Sequence, residues 1–312
     1  MDDDLDARLG FAPDYDAPIP YMQRTRDFYR AIGYTAPYRW AHHIDAPFAL
    51  LGKRMYKTRV ALITTAAPYQ PGKGDQGPGA AYNGSAKFYA VYSGDTTAAH
   101  DLRISHIGYD RVHTTATDSG TWFPLPALLR AVAAGRIGAL TQRFHGAPTN
   151  RSHRVTIETD APEILRRCQQ DGADAAILVP NCPVCHQTCS LVARHLEANG
   201  IPTVVMGCAK DIVEHAGVAR FLFSDFPLGN SAGKPHDAVS QAETLELALR
   251  LLESAVGPRT TMQSPLRWTA SADWKLDYLN VVRISPDELQ RRRAEFERQK
   301  ELARPNRVEK AA

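Results

Sequence analysis

The chain has 312 residues, of which 44% are hydrophobic and 23% are charged, a composition typical of a folded globular protein. Its formal net charge of +3 is too small to predict binding to nucleic acid or to an anionic membrane surface. No apolar run approaches the roughly 18 residues of a membrane-spanning helix. The acidic start, MDDDLDARLG, lacks the apolar segment of a secretion signal. We therefore expect a cytoplasmic protein whose core needs no disulfide framework.

The first 57 residues mix prolines, tyrosines and arginines and predict an N-terminal arm with one helical pattern at residues 22–32. The arm could pack on the main domain, form a dimer contact, or bring an arginine to an anionic substrate. The apolar run RVALITTAA, at residues 59–67, predicts a buried parallel strand. A Gly/Pro-rich loop follows, then two strand-like runs, FYAVYSG and LRISHIGYD, and a helical pattern at residues 125–140.

The second half of the chain alternates between helix and strand patterns. In order they are APEILRRCQQDG (helix, with Asp160 as its expected cap), ADAAILVP (strand), PVCHQTCSLVARHLEANG (helix), IPTVVMG (strand), AKDIVEHAG (helix), ARFLFSDF (strand) and VSQAETLELALRLLESAVG (helix). This alternation requires right-handed crossovers and a mostly parallel sheet. We predict an α/β fold with a doubly wound sheet of the Rossmann or flavodoxin type, which two related α/β halves could build.

The same patterns predict four segments along the chain. They are an arm (residues 1–57), a first α/β half (58–150), a second half with the cysteine cluster (151–260) and a C-terminal extension (261–312). The extension ends in a charged helix, with Ser285 as its expected cap. Glutamates interleave the arginines of that helix, so it is expected to face solvent or a second subunit, and a homo-oligomer is an open expectation.

The stretch NCPVCHQTC, at residues 181–189, holds three of the five cysteines. It follows a predicted strand and opens a helix, at the edge where parallel sheets bind ligands. Pro183 suits the first helical position and makes Cys182 the N-cap, where the helix dipole lowers the pKa of a thiol. Cys185 follows at the spacing of redox dithiols, and Cys189 lies on the same helical face. His186 is four residues from Cys182 and is a candidate proton partner for it.

Three interpretations of this cluster stay open. In the first, Cys182 is a nucleophile and Cys185 resolves the intermediate. In the second, Cys182 and Cys185 hold zinc, and a histidine or carboxylate completes the ligand shell. In the third, the cysteines are small buried side chains without chemistry. A long cytoplasmic chain makes a structural disulfide the least expected outcome.

A second group of candidates lies in RISHIGYDRVHTTATDSG, where His106, Asp110, His113 and Asp118 fall within thirteen residues. Histidine and carboxylate together suit acid–base catalysis or metal binding. His106, His113 and Asp118 are the preferred non-cysteine metal ligands, and His113 is a second candidate for proton transfer. The alternative is a polar surface loop with one helix cap.

Two glycine-rich loops have weaker functional signals. FPLGNSAGKPHD, at residues 226–237, fails the phosphate-loop template, and it is expected to be either a substrate loop that uses Asn230 or His236 or an irregular surface loop. GKGDQGPG contains GxGxxG, but no helix pattern follows it, so a flexible lid is favoured over a dinucleotide site. Cys208 follows a strand and could approach the cluster, whereas Cys168 is expected in the core.

At the cysteine cluster the chain resembles the B-protein (selenoprotein B) family of the glycine, sarcosine, betaine and D-proline reductases. The family motif is UxxCxxxC, with selenocysteine first, and here it reads CPVCHQTC, so Cys182 stands where the family carries selenium. Other similar stretches are PIPYMQRTRDFYRAIGYTAPYRWAHH, RVALITTAAPY, RISHIGYDRVHTTATDSGTWFPL and EANGIPTVVMGCAKDIVEHAGVARFLFSDFPLGNSAGKPHD. The resemblance covers roughly residues 16–290.

The resemblance implies reductive cleavage of a C–N bond in a small molecule by an oxidoreductase. In this family the chalcogenide attacks carbon, and a dithiol then regenerates it with the help of an external dithiol or thioredoxin-type reductant. Family members work with a separate subunit that carries a pyruvoyl group, which is the partner implied here. Sulfur in place of selenium implies a slower version of the reaction or an easier substrate, such as the C–S bond of a thione.

Two other functions stay open beside the reductase. One is a zinc-thiolate lyase or hydrolase, such as a desulfurase, and the other is a non-catalytic thiol-carrier subunit of a reductase complex. The catalytic candidates are Cys182, Cys185, His186 and His113. The substrate-binding candidates are Cys189, Asn230, His236, Asp118 and His106.

Overall fold

The computed structural model describes residues 8–34, 36–104, 106–149 and 152–308. In chain order its strands are β1 (Arg59–Thr64), β2 (Ala67–Pro68), β3 (Tyr92–Asp95), β4 (Leu102–Arg103), β5 (Ala139–Leu140), β6 (Arg143–Gly146), β7 (Ala175–Val179), β8 (Thr203–Gly207), β9 (Arg220–Phe223) and β10 (Thr260–Gln263). Its α-helices of seven or more residues are α1 (Tyr21–Ala31), α2 (Leu125–Ala133), α3 (Ala161–Gln170), α4 (Pro183–Ala198), α5 (Lys210–Ala216), α6 (Ala238–Ser254) and α7 (Pro286–Val308).

The main sheet has the strand order β10-β9-β8-β7-β1-β6-β3, and β5 also pairs with β1. Its strands are parallel except β3, which runs antiparallel to β6. A separate antiparallel pair joins β2 and β4. The predicted α/β fold with a mostly parallel sheet is therefore confirmed. From β1 the sheet grows outward through β6 on one side and β7 on the other, so the switch point lies between the carboxyl ends of β1 and β7, where ligands bind in such sheets.

Alternation along the central strands builds two cores, one on each face of the sheet. One face of β1 and β7 packs with helices α2 and α6, through side chains that include Val60, Leu62, Ile177, Leu128 and Leu249. The opposite face packs with helices α3 and α4, through Ala61, Ile63, Leu178, Ile164 and Val192. Because helices cover both faces, positions 60–64 and 175–179 are all buried, which explains their continuous apolar sequence.

The arm and the C-terminal helix pack against each other. Helix α1 agrees with the helical pattern at residues 22–32 within one residue at each end, and Phe28 of α1 and Ile32 directly after it share a buried cluster with Phe296 of α7. The predicted cap of α7 is confirmed, since the Ser285 hydroxyl accepts a hydrogen bond of 3.3 Å from the Glu288 N–H. No helix among the described residues is both long enough and apolar enough to cross a membrane.

Three local predictions were wrong. The helix expected at residues 125–140 ends at Ala133, because Gly135 takes a left-handed φ of +68° that turns the chain toward β5. Asp160 does not cap α3 with its side chain; it lies in a π-helical turn, Thr156–Asp160, that continues into the helix. Only the last three residues of FYAVYSG belong to β3, and among the described residues of LRISHIGYD only Leu102 and Arg103 form a strand, since these are the parts that reach a neighbouring strand.

Candidate functional site

The cysteine cluster lies at the switch point of the sheet. Strand β7 ends at Val179, and Cys182 is the N-cap of α4 in extended conformation, with Pro183 in the first turn, as the sequence predicts. The Cys182 sulfur accepts a hydrogen bond of 3.3 Å from the Cys185 N–H. The sulfur therefore caps the helix and lies at the positive end of its dipole, an environment that favours a thiolate.

The sulfurs of Cys182 and Cys185 lie 2.7 Å apart, and we call this pair the dithiol. Burial by itself would raise the pKa of the Cys185 thiol. A hydrogen bond with Cys182, the charge and hydrogen bond of His106, and a hydrogen bond with Thr149 outweigh burial and hold this pKa well below its ordinary value. Because the two thiols are this close they titrate together, so the lowered pKa describes the pair rather than one residue.

Two loops bring polar side chains to the dithiol. The Thr149 hydroxyl, after β6, lies 3.4 Å from the Cys185 sulfur. His106, after β4, has a ligand atom within 4.8 Å of both sulfurs. The His106 side chain is almost fully buried, at 8% exposure, and its Nδ1 makes no hydrogen bond with any residue that the structure describes. The loop that carries His106 therefore faces the start of α4, although it is distant in the sequence.

The loop approaches closely because Gly108 has no side chain. A Cβ atom at Gly108 would lie 2.6 Å from Cδ of Pro183, closer than two such atoms can pack. The Tyr278 hydroxyl donates a hydrogen bond of 2.8 Å to the Gly108 carbonyl and fixes the loop there. Arg111, in the same loop, lies close enough for the charge of Cys182 to raise its pKa, although burial is the larger effect and leaves the pKa below its ordinary value. A guanidinium near Cys182 adds to the stabilisation of a thiolate.

The structure does not place His186 against the sulfurs, contrary to the expectation from its spacing. Its Nδ1–H donates to the Cys182 carbonyl at 2.8 Å, and its Nε2 accepts from the Cys208 N–H at 2.9 Å. Burial lowers the pKa of His186 to about 4, so the ring is neutral at pH 7. Both ring nitrogens are occupied by backbone groups, and His186 holds the start of α4 against the end of β8.

His113 and Asp118 also lie apart from the dithiol. Nδ1 of His113 is 3.1 Å from the Asp110 carboxylate, and its hydrogen bond with Asp110 raises the pKa of His113. The Asp118 carboxylate accepts hydrogen bonds from the Gly120 and His236 N–H groups. Within residues 8–308 as described, the metal-ligating group that forms is His106, Cys182 and Cys185, so the expected contribution of His113 and Asp118 to a metal site is not supported.

The remaining substrate-binding candidates, Cys189, Asn230 and His236, make contacts within the protein. Cys189 is fully buried in the apolar core below α4, and burial raises its pKa well above the ordinary value. The Asn230 amide is fully buried and bonded, donating to the Pro227 carbonyl at 2.9 Å and accepting from the Thr114 hydroxyl at 3.3 Å. His236 is exposed, with Nε2 3.2 Å from the Thr117 hydroxyl.

The other two cysteines are buried thiols with raised pKa values. Burial raises the pKa of both Cys168 and Cys208 to about 12. Cys168 lies in the core, as the sequence predicts, and the Cys208 sulfur is 3.8 Å from the Ser231 hydroxyl. Neither thiol is poised to ionise at neutral pH, in contrast to the dithiol.

A cavity of about 760 Å³ lies beside the dithiol, on the side of the arm. Its lining includes Tyr38, whose ring also packs against Cys182, Val184 and Cys185. The Tyr38 hydroxyl accepts a hydrogen bond of 3.0 Å from the Gln187 amide of α4. The cavity is large enough for a small molecule, and Tyr38 both lines it and packs against the cluster that contains the two cysteines.

Sequence patterns missed four residues around the dithiol, namely Thr149, Asn181, Arg111 and Tyr278. Thr149 and Asn181 follow β6 and β7, so the strand order alone could have placed them at one edge of the sheet. Arg111 lies in the loop already singled out for its histidines. Tyr278 is in the C-terminal extension, where no pattern connects it with the cysteine cluster.

The residues around the dithiol fit a zinc ion. Two thiolates and one imidazole are ligands that Zn²⁺ prefers, and three protein ligands with an open position are typical of catalytic zinc sites. Nδ1 of the His106 imidazole makes no hydrogen bond within the described residues. These same groups would equally serve a free dithiol, so the geometry is compatible with either state.

Comparison with known proteins relates the chain to a reductase. No family model and no solved structure matches the chain. One curated relative is the D-proline reductase subunit gamma of Acetoanaerobium sticklandii, which is 28% identical over 193 residues, 61% of this chain and 76% of the relative. The likeness supports a distant relationship between this chain and a subunit of a reductase.

Proposed function

We propose that this chain is a thiol-dependent reductase component that cleaves a C–N or C–S bond of a small molecule and uses the dithiol as the electron donor. The observation that carries the proposal is the pair of sulfurs, 2.7 Å apart, at the start of a helix on the ligand-binding edge of the sheet. The named relative, a subunit of D-proline reductase, supports reduction as the reaction class. We also propose that the chain belongs to the selenoprotein B family, with cysteine in place of selenocysteine.

In the proposed reaction the Cys182 sulfur, the more exposed of the two, attacks the carbon that bears the leaving nitrogen. The S–C bond forms as the C–N bond breaks, and the amine leaves with a proton that His106 can supply. Cys185 then attacks the Cys182 sulfur, which forms an S–S bond, breaks the S–C bond and leaves carbon to take a proton. The substrate gains two electrons and two protons, and the dithiol loses both. An external dithiol or a thioredoxin-type protein reduces the disulfide.

The test uses D-proline with dithiothreitol as reductant, and it is run with and without the remaining reductase subunits. A ring-opened product two hydrogens heavier than the substrate supports the proposal. Cys182→Ser and Cys185→Ser should each abolish it, whereas Cys168→Ser, in the core, should retain it. Product formation by Cys182→Ser would contradict the assignment. Turnover only with added subunits would identify the chain as part of a complex, with a pyruvoyl-bearing partner or as a thiol carrier.

A zinc-thiolate lyase or hydrolase is the second candidate, because His106 and the dithiol have ligand atoms within 4.8 Å of one another. Zinc would supply Lewis-acid activation of a carbonyl, a thione or water. Metal analysis of the purified chain separates the two candidates. About one zinc per chain, with thiols that alkylate only after a chelator is added, would favour this second function over the free dithiol.

A further inference from the structure

Among the described residues, the buried side chains of Asn181, His106 and Trp122 carry polar atoms that make no hydrogen bond. Asn181 is fully buried, and neither its Nδ2 nor its Oδ1 has a hydrogen-bond partner in the described part of the chain. The same holds for Nδ1 of His106 and for Nε1 of Trp122, which is 2% exposed. Leaving such a group unsatisfied costs about 1–3 kcal/mol. Native structures contain few of them, and one with this cost calls for a ligand or a functional reason.

The backbone places Asn181 at the switch point, directly before Cys182. Its N–H donates a hydrogen bond of 3.1 Å to the hydroxyl of Thr65, the residue that follows β1. The Trp122 carbonyl accepts a hydrogen bond of 3.4 Å from the hydroxyl of Thr64, the last residue of β1. The backbones of Asn181 and Trp122 thus lie at the carboxyl ends of the two strands that flank the switch point.

We propose that the side-chain amide of Asn181 binds the substrate next to the dithiol, and that it takes a group with a hydrogen-bond acceptor and a donor side by side, as in a carboxamide. The amide offers two N–H donors and one carbonyl acceptor. This inference rests on the proposed function, since it assumes that the dithiol meets a small molecule.

Asn230 provides the contrast that makes this inference specific. It is also a fully buried asparagine near the same edge, but both ends of its amide are bonded within the protein. Removing the Asn230 amide therefore breaks two hydrogen bonds, whereas removing the Asn181 amide breaks none. The two residues therefore form a matched pair: the Asn230 amide stabilises the fold, and the Asn181 amide is available to bind a ligand.

The first test compares the thermal stability of Asn181→Leu with that of Asn230→Leu in the full chain. Leucine has the same number and branching of side-chain heavy atoms as asparagine, so each change removes the amide without removing a heavy atom, and any crowding from the larger methyl groups applies to both fully buried sites. We expect Asn181→Leu to melt no lower than the parent protein and Asn230→Leu to melt several degrees lower. If Asn181→Leu melts as low as Asn230→Leu, the Asn181 amide is structural and the inference is overturned.

The second test measures alkylation of the dithiol by two probes, with the modified peptide identified by mass spectrometry. Iodoacetamide carries a carboxamide, and methyl iodide has no hydrogen-bonding group; in both reactions an S–C bond forms and iodide leaves. We expect Asn181→Leu, or the smaller Asn181→Ala, to slow iodoacetamide about ten-fold and to leave methyl iodide unchanged. Asn199→Leu, at the exposed end of α4, should change neither rate.

The outcomes separate this inference from the proposed function. Equal slowing of both probes would show that Asn181 acts through the thiols, and no slowing of either would show no ligand contact, so both results overturn the inference. A dithiol that is inert to both probes until a chelator is added would contradict the proposed function. In that case the stability comparison still decides the role of the Asn181 amide, because it needs no reactive thiol.

Discussion

The Nδ1–H of His186 donates a hydrogen bond of 2.8 Å to the carbonyl of Cys182. This bond, together with the one from the Cys208 N–H to Nε2, fixes the start of α4 against the end of β8. His106, from a distant loop, is instead the imidazole that contacts the sulfurs. His186 therefore positions the backbone of Cys182, whereas His106 lowers the pKa of the dithiol.

The His186→Ala variant should lose stability without changing the acidity of the dithiol. The substitution leaves the Cys208 N–H unsatisfied and opens a space in a fully buried site, so we expect a loss of about 2–4 kcal/mol in the free energy of unfolding. Urea denaturation measures the loss, and the pH profile of iodoacetamide alkylation measures the thiol pKa. An unchanged stability with a raised thiol pKa would instead make His186 the proton partner of Cys182.

Stability should fall as the pH drops from 6.5 toward 4. Burial lowers the pKa of both His186 and His145 to about 4, so these rings stay neutral in the folded protein while the unfolded chain takes up protons. Because the unfolded state binds more protons in this window, unfolding becomes easier with acid, by up to about 3 kcal/mol per histidine. Denaturant unfolding at a series of pH values checks this, and His186→Gln should give a shallower slope.

The His106→Gln variant should raise the pKa of the dithiol. Glutamine keeps a hydrogen-bonding group but removes the imidazole whose interactions help to lower the pKa of Cys185, so we expect alkylation at pH 7 to slow about ten-fold and to recover at higher pH. His113→Gln is the control, because His113 pairs with Asp110 and not with the sulfurs. Cys168, whose pKa burial raises to about 12, should stay unmodified at pH 7 throughout. If His106→Gln and His113→Gln slow alkylation equally, His106 has no specific effect on the pKa of the dithiol.

The lowered pKa of Cys185 also determines how stability depends on pH at this site. An unfolded cysteine ionises near pH 8.5, and the folded dithiol ionises below that value. The contribution to stability is therefore complete above the unfolded pKa and is lost as the pH falls through the folded pKa. In His106→Gln the pH range over which this contribution to stability is lost should narrow, because the thiol pKa of the folded protein moves closer to that of the unfolded chain.

Sequence alone predicted the fold and the local geometry of Cys182, for reasons that lie within short segments. Continuous apolar runs show which strands are buried, and Pro183 after Cys182 specifies a helix start. The partner of the dithiol could not be chosen in this way. His186 is near in sequence but turns to the backbone, whereas His106 reaches the sulfurs through a loop whose path depends on Gly108 and Tyr278. Asn181 stood beside the cluster, but only the structure shows that its amide is unbonded.

A buried ion pair holds the arm against the sheet. Arg220, at the start of β9, donates a hydrogen bond of 2.9 Å to Glu197 of α4, and both side chains are almost fully buried. Glu197 accepts from the Ala49 N–H, and Arg220 donates to the Ala49 carbonyl. Burial raises the pKa of Glu197 and lowers that of Arg220, so each charge depends on the other. Breaking such a pair from one side leaves a buried charge without compensation.

Glu197→Gln should therefore destabilise the protein by about 3–5 kcal/mol, as measured by urea denaturation at pH 7. The double variant Glu197→Gln/Arg220→Met should recover part of this loss, since no unpaired charge remains. Asp27→Asn is the control, because its partner Arg30 is 71% exposed and such a pair contributes about 0–1 kcal/mol. A single Glu197→Gln variant that loses as little as this control would mean that the buried charges are screened by water. The arm would then be held by its apolar contacts instead of by the ion pair.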